Sequence, residues 1–450
     1  MSSKNLSKCS WQKIIVYRIA RYLFLTQYTM IASGIVFMLG YFCITLEHKL
    51  KTHKSAIALF IASVLWIMAS FSGLPHELIV EKLHHTGGEI FGLIVFLLAA
   101  MTIVETLIHF RFFDIVRSKI AALGLADRGQ FLLISTITFF FSALLDNLTV
   151  TIIMIQIARR FFASERLFAV VVGIVIVANA GGAWSPIGDV TTIMLWLAGK
   201  FSAMQIITEW FLPSLAMWIT STLMIAQRLS KKSWGGEKVE TVTLSWQEKI
   251  IITVAFGSFI LPIIMNVVHL PPYLGLLLGL GIMWLLIEYF KHWTTGFSDN
   301  QETSLEKLLQ KTDLSSIKFF IGILLAVGAL EVTGLLEMLS HSLFGSAPSD
   351  IRIIMGSVLM GLVSAVVDNV PLTALAIDII HVTNPHLWVL TALTVGTGGS
   401  LLLIGSVSGV VASGMVPELT FGKYFQIASL PVLLGYFIGV GVWAIQYFLI

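Results

Sequence analysis

Two decapeptides set the chemical question. SALLDNLTVT (142–151) and SAVVDNVPLT (364–373) each place an acid and an amide, Asp146-Asn147 and Asp368-Asn369, in otherwise apolar sequence. Asp146 has no basic residue nearer than Lys119 and Arg128 before it or Arg159 after it. An ionised group at membrane depth costs roughly 2.5–3.5 kcal/mol on insertion scales, which makes it a functional candidate by default. Carboxylates with neighbouring oxygens suit a dehydrated monovalent cation. Desolvation favours the protonated acid, so one group can take Na+ or H+ in turn. The structural alternative is capping of the helix that follows, since Asp and Asn are both good N-caps.

A third segment, NAGGAWSPIGDVTT (179–192), adds Asn179, Asp189, Thr191 and Thr192. Pro186 removes a backbone donor and Gly188 permits a sharp turn, so Asp189 is expected to open the second half of a broken helix. Thr149, Thr151, Ser142 and Ser364 supply neutral oxygens, equally suited to ligation and to half-helix hydrogen bonding. Glu105 and Glu331 fall inside apolar spans and could serve proton access or bracing. Glu337, Asp378, His109 and His381 lie nearer span ends and read as interfacial or loop residues, and His84 and His85 as loop residues. Cys9 and Cys43 form neither a metal spacing nor a disulfide framework, so no cofactor is expected beyond the transported ions.

The elements that must hold these groups are membrane spans. Of 450 residues 57% are hydrophobic and 12% charged, against about 25% charged in soluble domains. Apolar runs predict spans at 28–46, 55–72, 89–110, 167–199, 205–227, 248–268, 271–290, 318–338, 386–415 and 425–449. Segments 131–145 with 148–162 and 351–367 with 370–382 are different, being short apolar arms hinged at the two Asp-Asn pairs. Fifteen residues reach about 22 Å, short of a hydrocarbon core about 30 Å thick, so each pair is expected to be a re-entrant hairpin. With both hairpins returning to their own side, 20 Lys and Arg fall on one side and only Lys82, Lys200 and Arg352 on the other. That bias follows the positive-inside rule. The tail bearing Lys4, Lys8, Lys13, Arg18 and Arg21 conflicts with it, since the scheme puts the tail outside.

The chain also carries an internal duplication. Ser142, Ala143, Asp146 and Asn147 match Ser364, Ala365, Asp368 and Asn369 at an offset of 222. Gly181, Gly182, Ile187 and Gly188 match Gly398, Gly399, Ile404 and Gly405 at an offset of 217, with Asp189 opposite Ser406. Glu105 answers Glu331, and LPSL from Leu212 answers LPVL from Leu430. Five spans and one hairpin per half force the second copy to insert upside down. The expected architecture is an all-α polytopic membrane protein with an inverted-topology repeat and two discontinuous helices, broken at 180–188 and 396–405. Its expected parts are a basic tail 1–27, a first repeat 28–227 (hairpin 131–162, broken helix 167–199), a cytoplasmic linker 228–247, and a second repeat 248–450 (hairpin 351–382, broken helix 386–415). Interrupted segments at matching places in two inverted halves point to a secondary transporter.

The segments SALLDNLTVT, NAGGAWSPIGDVTTIMLW, SAVVDNVPLTA and GTGGSLLLIGS resemble the signature segments of NhaD-type sodium/proton antiporters, in the ion-transporter superfamily with dicarboxylate/sodium symporters and arsenite exporters. The resemblance runs from about residue 89 to the C-terminus. It implies electrogenic exchange of cytoplasmic Na+ or Li+ for external H+ at a bacterial inner membrane, around a midplane site. It singles out Asp146, Asn147, Asn179, Asp189, Thr191, Thr192, Ser364, Asp368 and Asn369, with Na+ expected at Asp146, Asp368 and Asp189. The expected partners are monovalent cations and the lipid bilayer, without nucleic acid, and a homodimer is left open. An anion or dicarboxylate symporter or an arsenite exporter is the alternative; such a site would want neutral hydroxyls and helix N-termini rather than Asp at both tips. An intramembrane aspartyl protease also uses paired acids, but its Gly-x-Gly-Asp signature would need glycine where Pro186 stands.

Overall fold

In a bilayer every backbone N–H and C=O must be satisfied without water, so a chain this apolar is driven to helices. The computed structural model describes residues 27–44, 50–229, 243–293, 312, 314–343 and 349–449, and contains no strand among them. The basic tail through residue 26, with Cys9, and linker residues 230–242 lie outside the described residues.

The helices are α1 (Gln27–Ile44), α2 (Lys54–Ser70), α3 (His76–His109), α4 (Phe112–Ala122), α5 (Asp127–Ser142), α6 (Asn147–Ala158), α7 (Ser164–Ala183), α8 (Val190–Leu197), α9 (Ala203–Ala226) and α10 (Trp246–Ser258). There follow α11 (Leu261–Val267), α12 (Tyr273–Trp293), α13 (Leu314–Val332), α14 (Leu335–Leu343), α15 (Asp350–Val363), α16 (Asn369–Ile379), α17 (Pro385–Gly398), a 3-10 turn (Gly399–Leu401), α18 (Val407–Met415) and α19 (Phe421–Leu449). Seven of the described helical stretches are long and apolar enough to cross a membrane. The short arms are not: α6 has 12 residues and α16 has 11, so each reaches less than about 20 Å.

The chain forms two compact units that interleave in sequence. One comprises the described residues of Met1–Phe91, Leu314–Ala347 and Asp378–Ile380. Here α2 packs on α13, with Gly322 against the Ala58-Leu59 backbone and the Trp66 indole donating to the Leu325 carbonyl at 2.9 Å. The other comprises Gly92–Asp313, Pro348–Ile377 and His381–Ile450. Its core sets α7, with every residue from Phe168 to Ala183 buried, against α5, α6, α9, α17 and α19. Helices α9 and α19, each with a proline well inside it (Pro213, Pro431), pack together, Gly439 facing the Pro213 carbonyl. Asp127, 1% exposed at the start of α5, receives Arg166 of α7 at 2.8 Å, which supplies the charge partner a buried carboxylate needs.

Two local expectations are corrected. His84 and His85 belong to α3, whose 34 residues run straight through Gly87 and Gly88; those glycines read as a loop only because local propensity was weighed without the packing that carries the helix on. The helix breaks fall later than the glycine pairs. Residues 184–189 interrupt α7 from α8, and the second interruption follows Leu401.

Candidate functional site

The glycine pairs are helical and serve close approach rather than chain breaking. A side chain on Gly181 would meet the Phe139 carbonyl, one on Gly398 would meet the Gly361 carbonyl, and one on Gly188, within the first break, would meet the Ser142 carbonyl. Backbone therefore lies on backbone where α5 meets the first break and where α15 meets α17. The serines that end α5 and follow α15 fasten the same junctions. Ser142 Oγ donates to the Ala178 carbonyl at 2.6 Å, and Ser364 Oγ donates to the Val395 carbonyl at 2.7 Å. Each Asp-Asn tip is thereby held against a discontinuous helix.

At the first tip, Asp146 is the N-cap of α6 and accepts from Thr149 N at 2.9 Å and Thr149 Oγ1 at 2.5 Å. It remains half-buried. Asn147 turns the other way. Its N–H donates to the Gly188 carbonyl at 3.1 Å, while Nδ2 donates to Asn179 Oδ1 at 2.9 Å and to Asp189 Oδ2 at 2.6 Å. Asp189, 1% exposed, caps α8 by accepting from Thr191 N at 2.9 Å and also accepts from the Thr191 hydroxyl. Thr192 Oγ1 donates to the Asp189 carbonyl at 2.8 Å. One amide thus bridges a helix and the cap of the next.

The network continues into the second half of the chain. Asn179 Nδ2 donates to Ser400 Oγ at 2.7 Å and Ser406 Oγ at 3.2 Å, and Ser406 caps α18. Tyr424 OH braces this end through the Ser400 carbonyl at 2.8 Å. At the second tip Asp368 accepts from Val370 N at 3.0 Å, and Asn369 is 3% exposed. Asn369 has no copy of the Asn147 network because Gly396 and Ser406 stand where the first half has Asn179 and Asp189. The helices that follow the tips and breaks also cross between halves, α6 packing on α18 and α8 on α17.

The electrostatics are anionic. Asp146 and Asp368 both lie close enough to act electrostatically on Asp189, and among the described residues Asp189 gains hydrogen-bond donors but no Lys or Arg ion pair. Among the described residues no three His, Cys, Asp or Glu converge on one metal-sized point. A dehydrated ion at this site would draw on amide and hydroxyl oxygens beside a carboxylate. Thr151 and Ser408 offer buried hydroxyl oxygens with no hydrogen-bond partner, on the packed pair α6 and α18.

Of the residues singled out from sequence, Asn147, Asn179, Asp189, Thr191 and Thr192 form one connected group, Asp146 with Thr149 stands at its edge, and Ser364, Asp368 and Asn369 build the second tip. The two glutamates part company. Glu331 is ion-paired with Lys82, whereas Glu105 lines a cavity beside α6. Ser400, Ser408 and Tyr424 were missed in the sequence; Ser400 directly follows the Gly398-Gly399 pair, but one serine beside glycine in a chain with 36 glycines gives no signal of its own.

Residues 41–396 match the sequence profile of the citrate transporter family. "Sodium/proton antiporter 1" of Arabidopsis thaliana is 34% identical over 419 residues, covering 91% of this chain and 71% of that protein. "Sodium/proton antiporter 2" of the same plant is 33% identical, covering 90% and 97%. "Na(+)/H(+) antiporter NhaD" of Vibrio cholerae is 29% identical, covering 91% of this chain and 90% of the relative.

Proposed function

Because the chain belongs to the NhaD-type sodium/proton antiporters, within the citrate transporter family, and is a transporter rather than an enzyme, we propose that it exchanges cytoplasmic Na+ or Li+ for external H+ at the carboxylates Asp146, Asp189 and Asp368. The observation that carries this reading is the Asn147 bridge between Asn179 and Asp189, flanked by two capped Asp tips. Oxygen donors and negative charge are concentrated there. A proton and Na+ compete for the same carboxylate oxygens, and competition for one site is sufficient for antiport. Asn147 and Asn179 fix the site, Thr149 and Thr191 orient its carboxylates, and Thr192, Ser364 and Asn369 secure the surrounding half-helices.

The matched contacts Ser142 to Ala178 and Ser364 to Val395 support reading the two halves as inverted copies, each with a re-entrant hairpin facing a broken helix. Alternating access would then move hairpins and broken helices together against the remaining scaffold. The bacterial relatives favour an inner-membrane location.

Purified protein in proteoliposomes with an imposed Na+ gradient should move protons in a Na+-dependent way, and Asp146→Asn and Asp368→Asn should each abolish that movement. Undiminished exchange in both variants would reject the carboxylate assignment. The citrate transporter profile favours one second reading, symport of a carboxylate anion. Citrate uptake driven by Na+, with no Na+-dependent proton flux, would establish it.

A further inference from the structure

A cavity of about 650 Å3 opens beside α6, and its lining includes Glu105, Arg117, Ile152, Gln156, Arg159 and Arg160. It lies toward the C-terminal end of α6, whereas Asp146 caps the N-terminal end. Burial along α6 connects the two. Within this helix only Thr149, Ile152 and Gln156 escape burial. Their spacing of three and four residues puts them on one face, which Asp146 prolongs at one end and Arg160 at the other. From Thr149 to Gln156 that face covers about 10 Å.

Four of the five residues on this line are polar. Lipid contact there would expose Asp146, Gln156 and Arg160 to hydrocarbon, which is unfavourable at every depth except the interface. Water is the solvent that suits them. The second half shows no such line: Asn369 and the five residues after it in α16 are all buried. One tip therefore continues into a half-exposed helix face, whereas the helix after the other begins fully buried.

We infer that this cavity is the aqueous approach by which the exchanged cation reaches Asp146, and that Gln156 is the residue positioning the partly hydrated ion on the way. The inference rests on the Na+/H+ exchange reading above. The mouth carries Arg159 and Arg160, which the positive-inside rule puts on the cytoplasmic face, so the structure is open to the side from which Na+ departs. Asp114 is held by Arg117 at 3.2 Å, and Glu105 is the second acidic group of the lining. The Gln156 amide oxygen can replace one water of a cation's shell without the desolvation cost of a second buried charge.

The test is side-specific labelling of the full chain in oriented membrane vesicles. In a background with Cys9 and Cys43 replaced by serine, single cysteines are placed at Ile152, Gln156 and Met154, the last 0% exposed. A membrane-impermeant thiol reagent should label Ile152→Cys and Gln156→Cys from the Arg159-Arg160 face only, more slowly in Na+, and leave Met154→Cys unmodified. Labelling of neither, as a lipid-filled cavity would give, or labelling only from the opposite face overturns the access route. Labelling is read without transport, so an exchange-inactive protein with this pattern would refute the Na+/H+ reading and not the route. For positioning, Gln156→Ala should raise the half-saturating Na+ about two- to fivefold at unchanged maximal rate. Gln156→Asn should restore part of it. An unchanged half-saturation in Gln156→Ala overturns the role given to Gln156.

Discussion

Asn147→Ala is the most informative single change, because one amide group carries two hydrogen bonds that meet at the proposed site. Truncation removes the 2.6 Å bond to the Asp189 carboxylate and the 2.9 Å bond to Asn179 Oδ1. A hydrogen bond to a charged group is worth about 1.5–3 kcal/mol net and a neutral one about 0.5–1.5 kcal/mol, and Asp189 is too buried for bulk water to replace the lost donor. If only the carboxylate bond bears on ion binding, the half-saturating Na+ should change about tenfold to 150-fold, since each 1.4 kcal/mol is a factor of ten. The assay is Na+-dependent proton flux in proteoliposomes over a Na+ series, run beside thermal unfolding of the same preparation. Ser135→Ala is the control: it removes bonds to Thr222 and Trp218 in buried packing and should lower the unfolding temperature while leaving half-saturation alone. Asn147→Ala combined with Asn179→Ala should show coupling, because the two amides share a bond. A change in half-saturation of less than twofold, or a shift matched by Ser135→Ala, would refute the claim that Asn147 orients the Asp189 carboxylate.

Further outcomes are expected at other positions. Asp146→Asn should keep its unfolding free energy within about 1 kcal/mol of the parent, since Asn also caps helices, yet lose Na+-dependent proton flux; equal losses of stability and flux would assign Asp146 to capping alone. Gly398→Ala drives a methyl into the Gly361 carbonyl and should destabilise by about 1–3 kcal/mol or prevent folding, while Gly414→Ala, where the added methyl meets nothing, should be tolerated in thermal unfolding. Glu331→Gln breaks the pair with Lys82, whose side chains are 33% and 39% exposed, so a stability loss of under about 1 kcal/mol is expected by denaturant or thermal titration. Citrate added to the proteoliposomes should leave Na+-dependent proton flux unaltered.

The membrane-spanning helical character, the two Asp-Asn tips, and the interrupted helices before Asp189 and Ser406 were all legible in the sequence. They rest on local and additive physics: apolar run length, the shortness of a 12-residue arm, and the refusal of Pro186 to continue a helix. Internal duplication also brought Asp146 and Asp368 into correspondence before any coordinates. What sequence alone left open was which way each polar side chain turns. Asp146 faces its own helix through Thr149, while its neighbour Asn147 reaches Asp189, 42 residues on, and Asn179 reaches Ser400, 221 residues on. No propensity encodes those partners, because they meet only when backbones approach at Gly188 and Gly398 closely enough to exclude a Cβ. The same packing decided that Glu105 borders a cavity and Glu331 an ion pair, although the duplication treats them alike. Sequence determined which groups must be kept from lipid; tertiary structure decided which of them face each other, because hydrogen bonds are directional and burial is only a scalar.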